Sequence, residues 1–179
     1  MLWELGEQKS RLGFVTRSGR LTAERVEGGI RLDFPADPVG AVDAPPGLAA
    51  AVGAQPVAFG RGRNLYLAEL DDAATVRSLA PDIGAVKALM GALIVTAPGE
   101  GDSDFVSRFF APAFGIDEDP VTGAAHCCLA PYWQARLGRN PLVGYQASAR
   151  GGRVAVEVAG DRVLLSGPAV TVLRGELLA

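Results

Sequence analysis

The residues with the clearest capacity for chemistry lie in "IDEDPVTGAAHCC", positions 116–128. An acidic run, Asp117, Glu118 and Asp119, precedes Pro120, and Gly123 opens what otherwise reads as an apolar helix. Two readings are open. In one, Asp119 caps the helix, Pro120 takes the first helical position, and Asp117 and Glu118 complement the helix dipole. In the other, Gly123 is there so that a ligand can approach the backbone, since glycine inside a helix costs about 1 kcal/mol relative to alanine. Thr122, Gly123, Ala124 and Ala125 then present bare amides to a carboxylate or oxyanion. Asp119 beside them can act as acid or base, or orient the ligand. The Gly123 and Ala124 amides are expected to face a concavity shared with Asp119 and with Gln146 or Arg150.

The neighbours are weighed in the same way. His126 can transfer a proton or touch a ligand, or can be a packed residue near the first helical turn. Cys127 and Cys128 are the only cysteines. Adjacent helical residues project about 100° apart, so neither a disulfide nor a paired metal site is expected of them. With one histidine and no C-x-x-C spacing, a zinc site has almost no material. In "QASARGG", residues 146–152, Gln146, Ser148 and Arg150 alternate before a double glycine. That pattern either closes a polar pocket or makes a hairpin.

These residues need elements to hold them. "LGFVTRSGRLTAERVEGGIRLDFPA" alternates with period two between breaks at Ser18-Gly19 and Gly28-Gly29, a β-meander. The Pro/Gly-rich "PADPVGAVDAPPG" comes next as a connector. Strands are expected in "PVAFG" and "NLYLAEL", around a solvated Arg61-Gly62-Arg63 turn, and in "GALIVTAP" and "DFVSRFF". Further strands are expected in "LVGYQASA", "RVAVEVAG" and "RVLLSGPAVTVLRGEL". Helices are expected from Asp72 to Pro81 and from Asp82 to Leu89. Between the strands lies a helix over 123–137 whose apolar residues point nearly all round, so strands on both sides of it in sequence should enclose it. Pro131 inside it removes one backbone hydrogen bond. The class is sheet-rich α+β.

Composition narrows the partners. The formal charge is −3, and the 17 basic residues are scattered rather than striped, which gives no footprint for nucleic acid. No long apolar run and no signal-peptide pattern are present, so neither a membrane nor secretion is expected and the cytoplasm is the default.

The ordered segments "FAPAFGIDEDPVTGAAH", "LAPYW" and "YQASARGG" resemble the second lobe of the PhzF-like phenazine-biosynthesis isomerase family, relatives of diaminopimelate epimerase. The resemblance covers essentially the whole chain. It implies two pseudo-symmetric lobes, each a β-barrel-like mixed sheet wrapped around a central helix, with the active site between them. It also implies a cofactor-independent proton or double-bond shift on a small carboxylated substrate. Asp119 matches the aspartate of the family's D-P-x-T-G motif, and Gly123 the glycine whose amide faces the ligand. Thr122, Ala124, Gln146 and Arg150 are expected to bind substrate. Ala124 stands where the family often has serine. The epimerases carry a catalytic cysteine in place of Asp119, and Cys127 and Cys128 lie too far along the helix to replace it.

The family's N-terminal G-N-P, S-E-T-like and G-H-A-T segments have no counterpart here. Residues 1–36 are accordingly read as a remnant of the first lobe, starting inside that lobe's helix at "MLWELGEQ", 37–47 as a linker, and 48–179 as the second lobe. Lacking the family's catalytic glutamate, the chain by itself is expected to show no turnover. The exposed cleft face and the orphaned edge of the meander 12–34, apolar and unpaired, would favour a homodimer or aggregation. The competing reading is a non-catalytic remnant that serves as a binding or assembly module.

Overall fold

The computed structural model describes residues 2–17 and 19–175. The break expected at Ser18 lies outside them, as do Glu176 and Leu177 of the last expected strand. The meander is β1 (Arg11–Thr16), β2 (Gly19–Val26) and β3 (Gly29–Pro35), closed at its second turn by Gly28 at φ +78°. Then come β4 (Gly40–Ala41), α1 (Leu48–Val52), β5 (Ala58–Arg61), β6 (Tyr66–Glu69), α2 (Ala73–Ser78), α3 (Ile83–Leu89), β7 (Leu93–Pro98) and β8 (Phe105–Phe110). The chain finishes with α4 (Gly123–Leu137), β9 (Leu142–Gln146), β10 (Gly152–Ala159) and β11 (Arg162–Gly167). Asp72 and Asp82 cap α2 and α3 by accepting from Thr75 N at 2.7 Å and Ala85 N at 2.9 Å.

The strands form one eleven-stranded mixed sheet in the order β1-β2-β3-β11-β10-β9-β8-β7-β6-β5-β4. Only β6–β7 and β8–β9 pair in parallel among the described strands. The meander joins the rest through β3, whose residues Ile30–Pro35 pair with β11. That pairing covers one edge of the meander. The other, β1, stays at the edge of the sheet with Val15 96% exposed. No helix among the described residues is long and apolar enough to cross a membrane.

Both faces of the sheet's central strands are covered. Leu93, Val95 and Ala97 of β7 pack with α1, α2 and α3, while Ile94 packs with α4. A strand covered on both sides needs no polar face, which is why "LIV" runs unbroken. On the α4 side, Cys127, Cys128, Leu129, Ala130 and Trp133 meet residues of β6, β8, β9, β10 and β11, with Leu32 and Phe34 of β3 packed against them. Cys128 and Leu129 are fully buried, so α4 is enclosed as its all-round apolar surface requires.

The helix runs unbroken through Pro131. Proline leaves the carbonyl four residues earlier without its donor, and Asp37 N takes that place on Cys127 O at 3.0 Å. Three readings of the sequence change. The last strand stops at Gly167, before Pro168. The opening residues form only a 3₁₀ turn, Leu2–Leu5, too short to sustain an α-helix alone. Helix α1, which closes the connector, was hidden behind its prolines.

Gly144 in β9 is fixed by packing: a Cβ there would stand 2.4 Å from the Phe105 ring, which is stacked on Trp133 at 6.0 Å. Gly144→Ala should lower the unfolding free energy by about 2–3 kcal/mol. Gly40→Ala, with nothing near its Cβ, should change it by less than about 0.5 kcal/mol. Paired urea titrations check both.

Candidate active site

The loop 119–122 is held from behind at almost every polar group. Asp119 N donates to Phe109 O at 3.0 Å, tying the loop to β8. Gln146, the last residue of β9, is fully buried and spans the loop with its side-chain amide. Its Oε1 accepts from Thr122 N at 2.8 Å, and its Nε2 donates to Asp119 O at 2.6 Å and Thr122 Oγ1 at 3.1 Å. Ser148 Oγ donates to Pro120 O at 2.8 Å and accepts from Gly151 N at 3.1 Å. Thr122 O is met by His126 Nδ1 at 2.8 Å and His126 N at 3.2 Å.

Because Thr122 O can only accept, His126 Nδ1 carries a proton. Its Nε2 is buried with no hydrogen-bond partner among the described residues. Full burial disfavours the charged ring and pushes its pKa below the usual value, against the smaller opposing effect of the Thr122 bond. His126 is therefore a neutral, fully buried bolt between helix and loop.

Thr122 is the N-cap residue of α4, yet its side chain makes no capping bond. Its hydroxyl donates to Asp119 Oδ2 instead. The amides of Gly123 and Ala124 are left with no acceptor among the described residues. Asp119 and Ala124 line a cavity of about 540 Å³ with the apolar side chains of Leu21, Phe34, Phe109, Phe114 and Ile116. Cys127 reaches the same cavity, as do Asp37, Arg63 and Asn64. Burial, and then the nearby Asp37 charge, push the Cys127 thiol up to about 12, so it is protonated at neutral pH. Among the described residues no three His, Cys, Asp or Glu side chains gather as metal ligands would.

The family model described as phenazine biosynthesis-like protein (PhzC-PhzF) matches residues 2–175. The chain belongs to this family. Relatives of the PhzF-family chain include an uncharacterized isomerase of Halalkalibacterium halodurans, 42% identical over 99% of this chain and 69% of its own length. A second uncharacterized isomerase, from Pseudomonas aeruginosa, is 44% identical over 96% of this chain and 66% of its own. The crystal structure of a PhzF-family phenazine biosynthesis protein of Enterococcus faecalis superposes with a TM-score of 0.92 at 37% identity, covering 99% of this chain and 68% of that one. A predicted epimerase of Pseudomonas aeruginosa shares the fold, with a TM-score of 0.67 at 19% identity. The chain thus spans about two thirds of the length of such relatives.

Not every residue singled out in this PhzF-family sequence reaches the cavity. Asp119 and Ala124 do, and Thr122 stands directly behind them. Gly123 does not line it: a Cβ there would press on the Phe34 ring at 3.3 Å, so the glycine seats one of the cavity walls. Gln146 lies behind the loop with both ends of its amide occupied, and Arg150 is exposed away from the cavity. The dipole reading of the acidic run gives way at two points. Asp119 does not cap α4. Glu118 accepts from Arg108 at 2.7 and 2.9 Å, while Arg108 also donates to Leu79 O at the end of α2. Asp37, Arg63 and Asn64 were missed because their position depends on the fold, although proline-flanked Asp37 was a visible signal.

Gln146→Leu should lower the unfolding free energy by about 2 kcal/mol or more, since it strands Thr122 N and Asp119 O at about 1–3 kcal/mol each; chemical denaturation measures this. For His126 the folded pKa lies below the unfolded value of 6.5, so the unfolded chain binds the proton more readily. Its contribution is full above pH 6.5 and is lost as pH falls below it. Thermal melts should show that loss, and His126→Gln should lack it.

Proposed function

We propose that this chain supplies the acid/base face of a cofactor-independent isomerase that shifts a proton or double bond on a small carboxylated metabolite. One observation carries the reading. The Thr122 hydroxyl turns to Asp119 and leaves its own helix uncapped, so a carboxylate base and the unmet amide of Ala124 stand at one largely apolar cavity, with the unmet Gly123 amide next to them in the first turn of α4. The amides of Gly123 and Ala124 would hold the substrate carboxylate, and charge developing on it during proton removal would be stabilised there. Asp119 would take the proton from carbon and return it one position along. The Thr122 hydroxyl fixes which Asp119 oxygen is free, and the loop bonds hold the carboxylate against rotation. With a ligand seated on them, the apolar walls would limit the water that competes for the proton. The isomerase names carried by the bacterial relatives fit this reading, and the length those relatives have beyond the match leaves room for a second acid/base group.

The test is deuterium uptake into a cyclic unsaturated carboxylate in heavy water. The chain is assayed alone and with the unmatched third of the Enterococcus faecalis relative added as a second polypeptide. Asp119→Asn should lower the faster of these rates by about 10²-fold or more. The carboxylate Kd should change by less than about threefold, because Asp119 does not hold the carboxylate. Equal rates with and without Asp119 would overturn the assignment.

A further inference from the structure

The β5–β6 hairpin ends in Arg61-Gly62-Arg63-Asn64, which by sequence is an ordinary solvated turn. Its backbone is instead tied down. Gly62 N donates to Leu65 O at 2.9 Å, and Arg63 N donates to Asp37 Oδ1 at 2.8 Å. A Cβ on Gly62 would stand 3.0 Å from Asp37 Oδ2, so glycine lets the turn close on that carboxylate. Asp37 is itself fixed on α4 by its bond to Cys127 O, the carbonyl that Pro131 leaves without a donor. Asp37 Oδ2 accepts from the Cys128 thiol at 3.5 Å. The hairpin tip is thereby anchored to the helix that carries the site.

The anchoring uses the Arg63 backbone and leaves its side chain free. Arg61, two residues earlier, stacks on the Tyr66 ring at 5.0 Å. The Arg63 guanidinium has no hydrogen-bond or ion-pair partner among the described residues, and it lines the cavity that Asp119 and Ala124 share. It is the one cationic side chain among the described residues of that lining, and Asn64 adds an amide donor beside it. A planar guanidinium on an apolar cavity is a receptor for a planar oxyanion, which it binds by two parallel hydrogen bonds.

We propose that Arg63, assisted by Asn64, is a second anchoring point for the substrate and selects small ligands with two carboxylates over monocarboxylates. The inference rests on the reading of the α4 amides as the first carboxylate site. One carboxylate sits on those amides beside Asp119, and the other on Arg63, so the ring between them lies on Phe34 and Phe109. Arg63 touches no reacting atom and acts through orientation and selectivity.

Calorimetric titrations at fixed ionic strength, using benzoate, phthalate, isophthalate and terephthalate, test this. The best of the three dicarboxylates should bind the wild-type chain at least about tenfold more tightly than benzoate. Arg63→Met should abolish that preference while changing the benzoate Kd by less than about threefold, and Arg63→Lys should restore part of it. Arg61→Met should leave the preference intact, which separates a specific anchor from general positive charge. A preference that survives Arg63→Met, or none in the wild-type chain, overturns the role of Arg63 and leaves the Asp119 site standing. If benzoate fails to bind the wild-type chain, the α4 carboxylate site falls and the second anchor falls with it.

Discussion

Thr122 Oγ1 can donate its one proton and can also accept from an amide, and the direction its side chain points decides which groups it meets. As the residue before α4 it would ordinarily cap the helix, yet it donates to Asp119 instead. That choice needs a rigid loop, because a free Thr122 would turn back to the unmet amides of its own helix. The rigidity comes from the end of β9 and the turn after it. Gln146 holds the loop at Asp119 O, Thr122 N and Thr122 Oγ1, and Ser148 holds Pro120 O. Buried amide networks of this kind specify one arrangement when every member is satisfied, and here the Gln146 amide is met at both ends.

A second chain of constraints begins with a defect. Pro131 costs α4 a hydrogen bond, and the connector residue Asp37 repairs it from outside the helix. Asp37 then receives the hairpin that carries Arg63. Asp37 and the turn 61–64, both distant from α4 in sequence, thus meet at the carbonyl that Pro131 frees. The sheet contributes the frame, with α4 on one face and α1–α3 on the other, and the cavity opens where Phe34 of the meander meets the start of α4.

The elements were largely legible because their patterns are local. Alternation marked the meander, aspartates marked the starts of α2 and α3, and the apolar surface of residues 123–137 announced a buried helix. The motif around Asp119 carried the family, which the match over residues 2–175 shows. What escaped depends on partners distant in sequence. Gln146 looked like a pocket residue because alternation gives a side chain's face and not its neighbour, which turned out to be the loop 119–122. Gly123 reads in the sequence only as a place for a ligand to approach, whereas its missing side chain also makes room for Phe34, packed from the meander. Glu118 belonged to Arg108 and the end of α2 rather than to the next helix. Residues 37–47 read as a bare linker, since nothing in them states that Asp37 completes a helix ninety residues on.

The most direct test of the claim that unmet helix amides beside Asp119 form a carboxylate site is to watch those amides. In a ¹⁵N-labelled sample titrated with a small cyclic carboxylate, the Gly123 and Ala124 resonances should move first and furthest and saturate together with the calorimetric binding curve. The rigidly bonded Thr122 amide should move much less. Saturable binding that leaves Gly123 and Ala124 unmoved would contradict the account.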